Sequence, residues 1–123
     1  MVYADTDFFL AMIKKEDWLK TGAKKIYEEY KGSIETSVLT LAGLLLVAKR
    51  ENLDMENIVA SIFQIADIKG MTIKQGMEIV NHIKNNNLGV FDAFNAVLAE
   101  GQPIISSDRK YGKLGIPVIP LKV

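Results

Sequence analysis

Three aspartates occupy positions from which their side chains could do chemistry. Asp5 follows the short apolar run 2–4, and Asp108 comes shortly after a second apolar run at 104–105. Runs this short suit buried strands, and the carboxyl ends of parallel strands lie at one edge of a sheet, where α/β proteins bind ligands. Asp92 lies in the first turn of an apolar helix that precedes the second run. We therefore expect the three carboxylates to meet at one edge of a sheet.

A cluster of ionised carboxylates needs a cation or a shared proton to relieve the repulsion between its like charges. The chain has no cysteine, and hard carboxylate oxygens favour Mg²⁺ or Mn²⁺. The alternative is a purely structural role, because an aspartate at a strand end or at a helix N-terminus often serves only as a cap or turn former. The pattern alone leaves both explanations open.

Neighbouring polar side chains could assist such a cluster. Asn95 stands one turn after Asp92 on the same helical face and is predicted to orient that aspartate or a bound phosphate. Asp7 is predicted to cap the first helix, with a hydrogen bond to the cluster as the alternative. Arg109 and Lys110 directly follow the third aspartate and are predicted to contact phosphate groups.

Hydrophobic periodicity predicts short strands that alternate with helices. Strands are expected at 2–4, 33–37, 65–69, 104–105 and 116–121, and helices at 8–13, 18–30, 40–50, 55–66, 72–83 and 90–100. This order argues for an α/β fold, in which a mainly parallel central sheet is covered by helices on both faces to give a three-layer α/β/α domain. The whole chain, residues 1–123, is expected to be one domain of ordinary size.

Composition narrows the classes of function. Fifteen basic residues balance fifteen acidic ones, so only a local basic patch could attract a nucleic acid. No apolar run approaches the roughly 20 residues that a membrane helix needs, and no basic leader precedes an apolar stretch at the N-terminus. These features predict a cytoplasmic protein with no membrane partner.

Four short motifs in this order resemble those of the PIN-domain nucleases, in particular the small prokaryotic toxins of VapBC toxin–antitoxin pairs. The motifs are YADTD at 3–7, TSVLTLAGLLLVA at 36–48, FDAFNAVLA at 91–99 and IISSDRKYGKLGI at 104–116. The resemblance extends over nearly the whole chain. It implies a PIN-like fold and a nuclease that cleaves RNA by metal-assisted hydrolysis, with Mg²⁺ or Mn²⁺ as cofactor.

By this resemblance Asp5, Asp92 and Asp108 take the places of the metal-binding and catalytic acids. Thr6 and Ser106 take the places of small hydroxyl residues that line the same pocket. Arg109 and Lys110 are predicted to bind the RNA, because a basic run beside an acidic metal site is what RNA cleavage needs.

Gly43 departs from the family pattern. The second motif usually carries a glutamate there, in a T-x-x-E arrangement that starts at the equivalent of Thr40, and that glutamate belongs to the acidic site. Glycine within a helix costs about 1 kcal/mol relative to alanine, so helix stability does not explain the change. Either the chain is a naturally weakened or non-catalytic member, or the change was introduced to disarm a nuclease. Glu35 on the preceding strand is a possible substitute.

The resemblance therefore implies a metal-dependent endoribonuclease toxin whose partners are RNA and a small antitoxin. A homodimer is also implied, with Phe63, Met71 and Met77 as candidate contact residues. The alternative is a catalytically degenerate PIN domain that binds RNA or protein. An unrelated doubly wound phosphate-binding protein is disfavoured, because no glycine-rich loop follows a strand.

Overall fold

Five parallel strands form the central sheet of the computed structural model, which describes residues 1–122. The strands are β1 (Val2–Ala4), β2 (Ile34–Ser37), β3 (Asp67–Lys69), β4 (Ile104–Ser106) and β5 (Val118–Pro120). Their order is β3-β2-β1-β4-β5, and every strand pairing in the described residues is parallel. The predicted α/β class and parallel sheet are confirmed, while Val123 lies outside the described residues.

Helices cover both faces of this sheet. They are α1 (Thr6–Ile13), α2 (Lys20–Tyr30), α3 (Val38–Glu51), α4 (Met55–Ile65), α5 (Ile73–Asn85), α6 (Val90–Leu98) and a 3-10 helix (Arg109–Leu114). Buried side chains of α1 to α4 contribute to one hydrophobic cluster, and those of α6 contribute to two others, one of which includes Ile79 of α5. The result is the three-layer arrangement that the sequence predicts.

Alternation along the strands divides the core between the two faces. Val2 and Ala4 of β1 pack with α1 to α4, whereas Tyr3 between them packs with α6. In β4, Ile104 joins the α6 side and Ile105 the other. This period of two is the one expected for strands that are buried on both faces.

Local signals explain where several helices begin and end. Thr72 and Gln75 form a capping box at the start of α5, as their spacing predicts. After α5, Asn87 adopts a φ of 54°, a left-handed conformation that asparagine tolerates. β5, which contains Pro120, lies at a sheet edge, where a proline does not interrupt the hydrogen bonds between strands. Within residues 1–122, no helix combines the length and apolar character needed to cross a bilayer.

The strand order places a crevice between β1 and β4. The chain leaves β1 for β2 on one side, whereas β4 lies on the other side of β1, so the order reverses at this point. In open α/β sheets such a reversal creates a ligand-binding crevice beyond the carboxyl ends of the strands. Asp5 follows β1 directly, and Asp108 follows the end of β4.

Candidate active site

Asp5 is the centre of the polar contacts in this crevice. It caps α1, and its Oδ1 accepts hydrogen bonds from the Thr6 backbone nitrogen at 2.7 Å and from Asn95 Nδ2 at 3.0 Å. Its Oδ2 accepts from Ser106 Oγ at 2.9 Å and lies 3.4 Å from the Tyr111 hydroxyl. The carboxylate is therefore held by groups from four separate segments of the chain.

The pKa of Asp5 is raised because its carboxyl group is largely buried. This pKa rises from 3.8 to about 6, mainly because burial desolvates the carboxyl group; the negative charge of Asp7 and, less strongly, that of Asp92 contribute to this rise. The hydrogen bonds from Thr6 and Ser106 oppose the rise. A carboxyl with such a pKa is ionised at neutral pH at a cost to the folded state, and a nearby cation would lower that cost.

Tyr111 connects Asp5 with Asp92. Asp92 lies in the first turn of α6, and the Tyr111 hydroxyl is 3.2 Å from its Oδ1. The hydroxyl carries one proton and donates it to one of the two carboxylates at a time. Burial, followed by the charge of Asp5, strongly raises the pKa of Tyr111, so the phenol stays neutral. The sequence alone does not predict Tyr111 as part of the site.

Lys110 connects Asp92 with Asp108. Its Nζ lies 3.1 Å from Oδ2 of Asp92 and 3.6 Å from Oδ2 of Asp108. Asp108 caps the 3-10 helix, and its Oδ1 accepts from the Lys110 backbone nitrogen at 2.9 Å. The hydrogen bond to Asp92 is the main reason why the pKa of Lys110 is raised. We call Asp5, Asp7, Asp92 and Asp108 together the acidic edge.

Asp7 does not cap α1. The prediction that it does is wrong, because Asp5 holds the N-cap position and Asp7 lies in the first turn. Its Oδ2 accepts hydrogen bonds from the backbone nitrogen and hydroxyl of Ser107, whereas its Oδ1 is buried without a hydrogen-bond partner. Burial raises the pKa of Asp7, and the charge of Asp108 adds to the rise. The sequence feature that could have placed Asp7 in the site is its position two residues after Asp5.

Asn95 lies on the buried side of the site. The sequence predicts that it orients Asp92 or a phosphate, but its amide instead donates to Asp5 and, at 3.2 Å, to the Tyr111 hydroxyl. Its Oδ1 accepts from the Tyr3 hydroxyl at 2.9 Å. Asn95 is only 4% exposed, so it is out of reach of a phosphate in solvent. Helical spacing predicts that Asn95 faces the site, but it does not predict that Asn95 bonds to Asp5.

Position 43 borders the pocket. A Cβ atom built on Gly43 would lie 3.4 Å from Thr6 Oγ1 and 3.6 Å from the Phe91 ring, which are ordinary contacts. A larger residue at position 43 would therefore start beside Thr6, close to Asp5. No carboxylate comes from this position of α3, since glycine has no side chain.

Glu35 does not supply the missing carboxylate. Its carboxylate accepts a hydrogen bond from Gln102 Nε2 at 2.9 Å and lies 3.7 Å from Lys69 Nζ. It is on the strand face that α6 covers, in register with Tyr3. These contacts hold Glu35 away from the acidic edge, contrary to the possibility raised from the sequence.

Arg109 and Lys110 differ in their surroundings. Both begin the 3-10 helix beside Asp108 and both are exposed. Lys110 is engaged by two carboxylates, whereas Arg109 is in none of the ion pairs found among residues 1–122. Arg109 is therefore the cation of this pair that is available to an incoming anion.

The chemistry of the acidic edge fits a hard divalent cation. It offers carboxylate oxygens, which are the ligands that such ions prefer. The buried Oδ1 of Asp7 has no hydrogen-bond partner. A positive charge, the ammonium group of Lys110, already lies between Asp92 and Asp108. In the present conformation, residues 1–122 contain no group of three or more acidic, histidine or cysteine side chains close enough together to hold a metal ion. An ion would have to displace Lys110 and draw the carboxylates together.

Comparison with solved structures identifies the fold. VapC20 of Mycobacterium tuberculosis, a sarcin-ricin loop cleaving toxin, superposes with a TM-score of 0.81 over 94% of this chain and 96% of its own, at 14% identity. A toxin–antitoxin complex from Klebsiella pneumoniae gives 0.77 over 100% of both chains at 17% identity. The chain has the PIN-domain fold of the VapC toxins. VapBC2 of Rickettsia felis, bound to a DNA fragment from its promoter, gives 0.68 over 98% of both chains at 16% identity.

The VapC fold is recognisable here from structure and not from overall sequence similarity. No protein-family profile matches the chain, and no curated protein sequence does so. Identities of 14–17% establish the shared fold alone. The resemblance inferred from four short motifs is thus confirmed at the level of the fold.

Proposed function

We propose that this chain is a ribonuclease toxin of a toxin–antitoxin pair, which hydrolyses RNA phosphodiester bonds at the acidic edge with Mg²⁺ or Mn²⁺. The observation that carries this proposal is the convergence of Asp5, Asp92 and Asp108 at the β1/β4 crevice of a VapC fold. Similarity to toxins of known structure supports the same role. RNA as the substrate is consistent with the predicted cytoplasmic location.

Asp5, Asp92 and Asp108 would hold the divalent ion, with Asp7 as a further oxygen ligand. When bound, the ion would act as a Lewis acid, which would activate water and offset negative charge on the phosphate. Asn95 and Ser106 fix the orientation of Asp5 through their hydrogen bonds. Thr6 donates its backbone N–H to the same carboxylate. No side-chain nucleophile is required.

The RNA would approach the acidic edge from the side of the 3-10 helix. Arg109 is exposed there, next to Asp108, and its guanidinium suits bidentate binding of a phosphate. Lys110, the second predicted RNA contact, is bound to Asp92 and Asp108 and could reach a phosphate only after leaving them.

An antitoxin segment would lie beside the site. An apolar groove next to position 43 is lined by Val38, Ala42, Met71 and Phe94. Val38 and Met71 are 63% and 52% exposed, which is the kind of apolar surface that an amphipathic segment covers. The fold is shared with chains solved as toxin–antitoxin complexes, which agrees with a partner of this type.

Exposed apolar side chains also support a homodimer. Phe63, Met71 and Met77, the residues predicted for a dimer interface, are all more than half exposed. Ile73 on α5, which also carries Met77, is 87% exposed. Burial of these side chains against a second copy would remove apolar surface from water.

A catalytically degenerate PIN domain that binds RNA or protein is the second candidate. Two observations favour it. Position 43 contributes no carboxylate beside Thr6, and Lys110 already neutralises part of the charge of Asp92 and Asp108. Both features would weaken the affinity for a divalent ion, and neither disturbs the fold.

Calorimetric titration with Mn²⁺ separates the two candidates when it is run on the wild type, Gly43→Glu and Gly43→Gln. The contacts at position 43 leave room for a side chain, and a further carboxylate is expected to tighten Mn²⁺ binding by about tenfold or more, because ligand charge is a main determinant of hard-cation affinity. Gly43→Gln controls for size and should leave the affinity near that of the wild type. RNA cleavage is then measured with the same three proteins.

Mn²⁺-dependent RNA cleavage by the wild type, lost in Asp108→Asn, would support the enzyme. Cleavage only by Gly43→Glu would identify an intact site disabled at one position. If none of the three proteins binds Mn²⁺ or cuts RNA, the enzyme is refuted and the binding module is retained.

A further inference from the structure

Lys110 occupies the position in the acidic edge where a cation is most needed. Its Nζ contacts Asp92 of α6 and Asp108 of the 3-10 helix, two carboxylates that come from different elements. We propose that Lys110 is an internal cation that competes with the divalent ion for Asp92 and Asp108. The inference rests on the proposed metal-dependent function and adds a residue that regulates loading of its site.

The backbone holds Lys110 in place for this role. Asp108 accepts a hydrogen bond from the Lys110 backbone nitrogen, which fixes the residue two positions after the acid that it neutralises. The next residue, Tyr111, is fully buried and places its hydroxyl between Asp5 and Asp92. Consecutive residues of one short helix thus contact three carboxylates of the site.

The side chain of Lys110 can leave without unfolding the site. It is 59% exposed, and its terminal ammonium group forms the ion pairs with the two acids. An ammonium group and a divalent ion that lie against Asp92 and Asp108 repel each other at such distances, so each weakens the binding of the other. The expected consequence is a site that loads only when the divalent ion is concentrated enough to displace the lysine.

The displacement frees a cation close to the bound ion. Once released, the Lys110 ammonium would be able to meet a phosphate at the same edge, as the sequence predicts for this residue. Loading of the ion and availability of Lys110 for RNA are therefore linked through the same two carboxylates.

The test compares Mn²⁺ binding by calorimetry in the wild type, Lys110→Met, Lys110→Arg and Lys113→Met. Removal of a positive charge a few ångströms from a divalent ion is expected to lower the Mn²⁺ dissociation constant by about three- to tenfold, after screening by salt. Lys110→Arg keeps the charge and should bind like the wild type. Lys113 is exposed on the same 3-10 helix and forms none of the ion pairs found in residues 1–122, so its loss should change the constant by less than about twofold.

A second readout does not depend on heat of binding. Mn²⁺ should raise the Tm of Lys110→Met more than that of the wild type, because a tighter ligand stabilises the folded state more. Equal Mn²⁺ affinity in the wild type, Lys110→Met and Lys113→Met would overturn the inference and leave the metal site intact. Absence of Mn²⁺ binding in all four proteins would overturn the metal-dependent function and the inference together, so the two failures give different results.

Discussion

The side-chain amide of Asn95 donates a hydrogen bond of 3.0 Å to Oδ1 of Asp5, so that a helix on one face of the sheet fixes the carboxylate at the end of the central strand. Asn95 in turn accepts a hydrogen bond from the Tyr3 hydroxyl, which also contacts Ser37 Oγ at 2.9 Å. Ser37 caps α3, the helix that carries position 43. One chain of buried polar groups thus joins Asp5 to the start of α3.

Asn95→Leu should destabilise the fold. Leucine has a similar size but leaves Asp5 without one donor and Tyr3 without one acceptor, and each such loss in a buried site costs about 1–3 kcal/mol. Urea unfolding measures the change. Asn57→Leu, on the exposed side of α4, is the control and should cost no more than about 0.5 kcal/mol. Equal costs for the two variants would refute the structural role of Asn95.

Asp5→Asn should stabilise the metal-free protein at neutral pH. Asparagine can keep Oδ1 as an acceptor for Thr6 and Asn95, while its amide donates to the hydroxyls of Ser106 and Tyr111. The folded pKa of about 6 lies above the ordinary value of 3.8, so ionisation of Asp5 opposes folding by about 3 kcal/mol once the pH exceeds both values.

The pH dependence gives this prediction its sign. The penalty is absent below pH about 4, where Asp5 is protonated in both states, grows as the pH rises, and is complete above pH about 6. Urea unfolding of Asp5→Asn and the wild type should therefore diverge between these values and then stay apart. A gain in stability that is the same at pH 3 and pH 7 would show that Asp5 does not ionise as described.

Asp7→Asn should lower the pKa of Asp5 from about 6. The charge of Asp7 is the second cause of the raised pKa of Asp5, after burial, and asparagine removes it while keeping an acceptor for Ser107. NMR titration of the Asp5 carboxyl carbon in metal-free buffer measures the change. Asp17→Asn, near the start of α2, is the control, and an unchanged Asp5 pKa in both variants would contradict the coupling.

The sequence predicts a helix well where clear hydrophobic periodicity coincides with residues typical of a helix terminus. α3 has an unbroken apolar face and basic residues in its last turn, and α5 begins at a capping box, so both are predicted within a few residues of their bounds. The 3-10 helix Arg109–Leu114 is not predicted, because its six residues are too few to show a period and include a glycine. This short helix positions both Lys110 and Tyr111.

The sequence predicts the positions of the acidic residues in the site, but it does not predict their hydrogen-bond partners. Strand ends and a helix first turn suffice to bring Asp5, Asp92 and Asp108 into one crevice, since topology fixes where those positions lie. Which side chain contacts which acid depends on packing across the sheet. Asn95 turns toward Asp5 because Tyr3 and Tyr111 surround its amide, a relation between residues that are distant in sequence.

Gly43→Ala should stabilise the protein by about 0.5–1 kcal/mol, because alanine loses less backbone entropy in a helix than glycine does. The added Cβ would meet Thr6 and Phe91 at ordinary contact distances, so no steric cost offsets the gain. Urea unfolding tests this, with Gly76→Ala in α5, where a Cβ meets open space, as the comparison. Destabilisation by Gly43→Ala alone would mean that the pocket beside Thr6 is tighter than the structure has it.

Met77→Glu should dissociate the proposed homodimer. Met77 is 69% exposed on α5, and an unpaired carboxylate buried at an interface costs enough to raise the dimer dissociation constant by about tenfold or more. Sedimentation velocity over a range of concentrations measures the constant. Lys74→Glu, exposed on the same helix, controls for the added negative charge. If both variants sediment as the wild type does at every concentration, α5 does not form the interface, and the exposed groove beside position 43 remains the apolar surface that a partner would cover.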